Sequence, residues 1–245
     1  MSAGEPRKPV RIAAVGDLHV HDKPSDGLLR SLFSDVSANA DVLALCGDLT
    51  TLGLPSEAEN LAAELKACSV PVVAVLGNHD YESGHAEELN KILKDAGVHM
   101  LGDSTFVHGD VGFAGIKGFC GGFGRHMLTS FGEEAIKRFV GEAIQEALKL
   151  ENALRALQTE KVAVVLHYSP IVATLHGEPP EIFPFLGASR LAEAIDPYDV
   201  DVVFHGHAHH GTYEGKTNKG IPVYNTCLEL VRGIHPDHPY ALIEL

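Results

Sequence analysis

The chain has 245 residues, of which 45% are hydrophobic and 21% charged, enough to bury a sizeable core within a single domain over 1–245. Thirty-three acidic against nineteen basic residues give a net charge of −14, which repels a phosphate backbone and disfavours broad nucleic-acid binding. No apolar block reaches membrane-spanning length, and Met1–Pro9 is polar; Cys46, Cys68, Cys120 and Cys227 are widely spaced with no CxxC pair, so reduced thiols in the cytoplasm are expected and no disulfide framework or membrane partner is.

The first hundred residues alternate short β-rich runs with amphipathic helical segments, the pattern of βαβ units around a largely parallel sheet. Strands are expected near Val10–Val15, Val42–Cys46 and Val70–Leu76. Between the first two, Leu28, Leu32, Phe33 and Val36 recur at helical spacing. Pro55-Ser56 with Glu59 reads as a capping box that opens a helix toward Leu65. From His99 to Lys117, short β-like pieces separated by Gly and Asp point to hairpins.

A glycine-rich loop, Gly115 to Gly124, comes next, followed by a helix over Glu133–Gln158 striped by Ile136, Phe139, Val140, Ala143, Ile144, Ala147, Leu148, Leu154 and Leu157. Loop and helix together read as a cap insertion near 117–160, over the sheet edge. The loop lacks a G-K-[ST] ending and is not a Walker phosphate loop. It is either a flexible connector or a cap that touches substrate, with Lys117, Arg125 or His126 offering cationic contacts. Strands at Val162–Leu166 and Val202–Phe204, and β-like pieces near Val223 and Ala241–Ile243, close the chain.

The residues that carry chemistry sit just after the strands: Gly16-Asp17-Leu18-His19, Gly47-Asp48, Gly77-Asn78-His79-Asp80, Leu166-His167, and Gly206-His207-Ala208-His209. In open α/β sheets the carboxyl ends of strands are where sites assemble. Asp17, His19, Asp48, Asn78, His167, His207 and His209 offer carboxylate, amide and imidazole donors but no thiolate, a set that suits Mn, Fe or Zn. Seven ligands exceed what one ion with an open position can use, and they fit two divalent ions sharing a carboxylate, for which Asp48 is the natural bridge. Such ions, about 3.5–4 Å apart, can hold a hydroxide between them as nucleophile.

These ordered motifs, D-x-H, G-D, G-N-H-D, a lone strand-end His and G-H-x-H, resemble those of the calcineurin-like metallophosphoesterase superfamily, from Asp17 to His209. The resemblance implies an α/β fold, a four-layer α/β/β/α sandwich of two mixed sheets with the active site at the strand carboxyl ends. It also implies that Asp17, His19 and His209 hold one metal with Asp48 shared, that Asn78, His167 and His207 complete the other, and that His79 is the general acid, with Asp80 orienting it. Asn78, His79 and Arg125 are the candidate substrate-binding residues, and a small phosphorylated molecule is the expected partner.

The longer G-D-x-x-D-R-G motif of the protein-phosphatase branch is not matched, because the chain reads Gly47-Asp48-Leu49-Thr50-Thr51-Leu52-Gly53. What remains is similar to small bacterial-type members acting on phosphodiesters, cyclic nucleotides, nucleotide-sugar derivatives or monoesters. Two other classes stand beside this reading. A non-catalytic scaffold would be expected to have lost ligands or the acid His, and a nuclease would need a cationic groove. His21, His205 and His210, close to the ligands in sequence, are expected to support them and not to bind metal.

Overall fold

Alternation with period two decides the architecture. In the first strand Ala13 and Val15 belong to one apolar cluster and Ile12 and Ala14 to another, so the strand is buried on both faces. The second strand repeats this with Leu43 and Leu45 against Val42, Ala44 and Cys46. A sheet apolar on both faces must be covered on both, here by helices on one side and a second sheet on the other.

The computed structural model describes residues 8–23, 27–102 and 104–245. Within them the order is β1 (Arg11–Val15), α1 (Leu28–Asn39), β2 (Val42–Cys46), α2 (Pro55–Leu65), β3 (Val72–Val75), α3 (Ala86–Asp95), β4 (His99–Met100), β5 (Phe106–His108) and β6 (Val111–Ile116). There follow α4 (Glu134–Ala156), β7 (Lys161–Leu166), α5 (Phe183–Leu186), α6 (Ser189–Ile195), β8 (Val202–His205), β9 (Glu214–Lys216), β10 (Pro222–Asn225), α7 (Leu228–Ile234) and β11 (Ala241–Glu244). One sheet has five strands in the order β11-β1-β2-β3-β4, and the other six in the order β5-β6-β7-β8-β10-β9. Both are mixed: β11 runs antiparallel to β1, and β5 and β9 run antiparallel to β6 and β10, while the remaining pairs are parallel.

The four layers follow from three clusters. Leu32, Phe33 and Val36 of α1, Leu61 of α2 and Leu93 of α3 pack on the outer face of the first sheet. Ile12, Val42 and Val73 meet Phe113, Ala163, Val202 and Phe204 between the sheets. Ala147, Leu150 and Leu154 of α4, with Leu191 and Ile195 of α6, cover Ile116, Val164, Leu166 and Val203 on the outer face of the second. The helix of the segment 117–160 therefore lies on that face and not over the sheet edge.

Two local expectations are corrected. The cap of α2 is not built on Glu59, because the helix starts at Pro55 and places Glu57 in its third position; Glu57 Oε2 accepts the N–H groups of Leu52 (2.9 Å) and Leu54 (3.2 Å). The hairpin expected after His99 exists as β5–β6, but β4 joins the first sheet parallel to β3 and β6 joins the second parallel to β7. Among the described residues no helix is long and apolar enough to cross a membrane, and all four cysteines are free thiols.

Candidate metal centre

Five strands end on one rim. After β1 the chain turns through Asp17 and His19, after β2 through Asp48, after β3 through Asn78 and His79, after β7 directly into His167, and after β8 through His207 and His209. Backbone bonds lace the turns together: Asp17 N–H donates to Gly47 O (2.9 Å), His19 N–H to Asp48 O (3.0 Å) and Gly206 N–H to His167 O (3.1 Å). The rim joins the two sheets through His167, whose Nδ1 meets the Cys46 carbonyl at 3.0 Å.

Backbone strain concentrates here. Among the described residues, those other than glycine with positive φ are Asp17 (56°), His19 (45°), Asp48 (48°) and His207 (69°). A left-handed conformation at such residues costs of order 1–3 kcal/mol each and persists only where surrounding contacts enforce it. All four are residues the sequence marks as ligands. Two glycines have a steric reason of their own: a methyl at Gly77 would run into the Asp48 carboxylate and one at Gly206 into that of Asp17.

Three groups of donor atoms result, each with its atoms within 4.8 Å of one another: Asp17, His209 and Cys227; His19, Asp48 and His79; and Asp48, His167 and His207. Asp17 is 5% exposed and Asp48 1%. His209 Nε2 lies 3.2 Å from Asp17 Oδ1, His167 Nε2 3.3 Å from Asp48 Oδ1, His79 Nε2 3.9 Å and His19 Nε2 4.0 Å from Asp48 Oδ2. Asn78 enters through its Oδ1, 2.9 Å from His167 Nε2. Thus all seven residues named as ligands, with His79, converge.

Around Asp48 the charges are those of a cation site, while Asp17 is paired with His209. Burial, and then the neighbouring Asp17, push the Asp48 carboxyl up to about 6. Burial pushes His167 down to about 4 and His207 to about 3, so both rings are neutral at pH 7. For Asp17 burial works upward, but the hydrogen bond to His209 and the charges of the neighbouring histidines outweigh it and bring the carboxyl down to about 2. His209 is raised to about 11, first by that bond and then by one to Cys227. A neutral His167 that donates from Nδ1 to the Cys46 carbonyl turns its Nε2 lone pair toward the oxygens of Asn78 and Asp48. Three acceptors with no proton between them fit a divalent cation, and the nitrogen and oxygen donor set suits a first-row metal.

Asp80 does not orient His79. Its buried carboxylate accepts Leu49 N–H (3.2 Å), Thr50 N–H (2.8 Å), Thr50 Oγ1–H (2.6 Å) and Gly77 N–H (2.7 Å), and so clamps the turn after β2 to the turn after β3. The partner of His79 is the Thr51 carbonyl, 2.7 Å from Nδ1. Arg125 is exposed on the loop after β6 with its Nε 3.1 Å from His126 Nε2, and among the described residues no hydrogen bond or ion pair joins it to the cluster. His205 is fully buried, bonded to Gly206 O (2.7 Å) and Thr174 Oγ1 (2.8 Å), a brace beneath the His207 turn. Cys227, Thr51 and the Phe185 carbonyl, 3.2 Å from His207 Nε2, were not marked by the sequence reading. Only Cys227 had a signal, its place just after a strand.

A family model described as calcineurin-like phosphoesterase matches residues 10–211. No curated protein matches the sequence. Among solved structures, the phosphopantetheinyl hydrolase (PptH) from Mycobacterium tuberculosis superimposes with a TM-score of 0.67 at 13% identity, over 96% of each chain. A protein from Thermus thermophilus gives 0.56 at 14% identity over 89% of each chain. The purple acid phosphatase PPD1 from yellow lupin (Lupinus luteus) seeds gives 0.54 at 13% identity, over 83% of this chain and 38% of that one. At these identities the likeness concerns the fold.

Proposed function

This chain belongs to the calcineurin-like phosphoesterase family, and on that premise we propose that it hydrolyses phosphate esters with two divalent metal ions. Asp17, His19 and His209 hold one ion, Asn78, His167 and His207 the other, and Asp48 bridges. The observation that carries this reading is the position of Asp48, within ligand reach of His19 on one side and of His167 and His207 on the other. Bound there, such ions supply the Lewis acidity that activates water and neutralises phosphoryl charge, so a local positive centre offsets the −14 of the whole chain. Mn, Fe and Zn are the candidates on donor type.

The protein's own groups do the rest. His79 donates from Nδ1 to the Thr51 carbonyl, which fixes the ring with Nε2 toward Asp48 and the cluster. Nε2 is then the atom that gives a proton to the leaving alkoxide, and a side chain 43% exposed can be reprotonated from solvent. The Cys46 carbonyl fixes the tautomer of His167 in the same way. Asp80 contributes by holding the turns that carry Asp48 and Asn78 in register.

The reading includes a small phosphorylated substrate and a cytoplasmic location, the latter supported by four free thiols. It is tested by assaying a phosphodiester, a cyclic nucleotide and a phosphomonoester side by side with Mn²⁺, Fe²⁺ and Zn²⁺. Turnover of at least one class is expected. Absence of turnover with the metals bound would favour a scaffold.

A further inference from the structure

At the end of β6, one strand over from His167, stands a lysine that the chemistry above leaves unused. Lys117 is tied to the centre through its backbone: its carbonyl accepts the N–H groups of both His167 and Tyr168, each at 3.1 Å. Its ammonium sits among three aromatic rings, 4.8 Å from the centroid of Phe119 and 5.5 Å from those of Tyr81 and Tyr168. Two of these rings adjoin the candidate ligands. Tyr168 lies 4.6 Å, centroid to centroid, from His207 and 5.4 Å from His167, and Tyr81 closes the short turn that His79 opens.

Among the described residues no carboxylate forms an ion pair with this ammonium. Two carboxylates of the covering helix, Glu146 and Glu142, act on it by charge, and Glu146 spends Oε2 on Gly118 N–H (2.9 Å) and Oε1 on Lys149 Nζ (2.7 Å). Among the described residues the ammonium makes one hydrogen bond, to the Gly118 carbonyl at 2.8 Å, which leaves two N–H groups to spend. Aromatic faces stabilise a cation without satisfying its N–H donors. Tyr81 is 49% exposed, so one wall of the cage reaches solvent.

We propose that Lys117 is a specificity-determining residue whose caged ammonium binds a second anionic group, carboxylate or phosphate, that the substrate carries beyond the phosphate held at the metal ligands. The inference rests on the phosphoesterase reading of the same site.

The test is calorimetric binding of three non-hydrolysable ligands to Mn²⁺-loaded protein: phenylphosphonate, 4-phosphonobenzoate and 1,4-phenylenebisphosphonate. They share one phosphonate for the metals, and the last two add a carboxylate or a phosphonate across the ring. The wild type is expected to prefer at least one of the doubly anionic ligands over phenylphosphonate by about tenfold, in line with a charge-assisted hydrogen bond at a half-open site. Lys117→Met should bring that ratio close to one, and Lys117→Arg should keep most of it. A ratio near one in the wild type, or a preference that Lys117→Met leaves intact, overturns the proposal. So does a uniform loss for all three ligands with loss of manganese, since that marks a purely structural lysine. Failure of the wild type to cleave any phosphate ester would sink the functional reading while the binding ratio still decides the role of Lys117.

Discussion

His79 meets Asp48 twice: its backbone N–H donates to Asp48 Oδ1 at 2.9 Å, and its imidazole Nε2 stands 3.9 Å from Oδ2 of the same carboxylate. The backbone bond places the ring and the Thr51 carbonyl aims it. The side chain can therefore be removed without disturbing the peptide group that supports Asp48. His79→Ala is expected to keep its metal content by elemental analysis while losing about 10²–10⁴-fold in turnover of an ester with a poor leaving group. Loss of metal in this variant would mean that His79 is a ligand and not an acid.

Asp48 belongs to two of the three donor groups, so its removal should act on both ions at once. Asp48→Ala is expected to lose both by elemental analysis after reconstitution and gel filtration. His209→Ala, on one side only, should deplete one ion preferentially. Equal retention in the two variants would contradict a bridging Asp48.

Asp80 offers a test of structure apart from chemistry. Asp80→Ala strands the buried N–H groups of Leu49, Thr50 and Gly77, each worth on the order of 1–3 kcal/mol when left unpaired. Denaturant melts of the metal-free variant should show a loss of at least about 3 kcal/mol. A change below about 1 kcal/mol, as for a surface substitution, would show that the clamp is not needed.

Far from the centre, Asp41 pairs with Arg11 through its backbone N–H (3.0 Å), Nε (3.1 Å) and Nη2 (3.1 Å). The hydrogen bonds from Arg11 bring the Asp41 carboxyl down to about 2. A depressed carboxyl stabilises the fold above its unfolded value, near 3.9, and that contribution is lost as pH falls toward 2. Asp41→Asn should therefore lower the melting temperature at pH 7 and make little difference near pH 2. An equal effect at both would assign the loss to packing.

Gly206 tests the steric argument for the motif glycines. Its added methyl would occupy the space of the Asp17 carboxylate, while a methyl at the half-buried Gly141 of α4 meets nothing within 4 Å. Gly206→Ala is expected to weaken metal binding at the Asp17 side, measured by calorimetry, and Gly141→Ala to leave it alone. Equal affinity in both variants would refute the close approach.

The centre was legible because each ligand closely follows an apolar run that reads as a strand, and parallel strands of a sheet end on one side; that the ends of two sheets share a rim is set by the fold. Asp48 after Val42–Cys46 and His167 after Lys161–Leu166 are each placed at a strand end by that rule, in different sheets. Less legible was anything set by where a loop folds back. Asp80 sits beside His79 in sequence, yet its carboxylate turns toward donors 30 and 31 residues away in Thr50 and Leu49. Glu57 takes the cap expected of Glu59 because the helix boundary falls two residues early, and periodicity fixes boundaries poorly. Periodicity gave α4 its apolar stripe but could not say which face of which sheet it covers. The Lys117 cage is assembled from Tyr81, Phe119 and Tyr168, three positions that share no motif.

The account rests on paired ions acting together, and a titration tests that most directly: metal-stripped protein receives Mn²⁺ stepwise while hydrolysis of bis-p-nitrophenyl phosphate is followed. Activity should emerge only as a second equivalent per chain binds and should level off there. Full activity at a single equivalent, or two bound ions with no cleavage of this or any other phosphate ester, would contradict it.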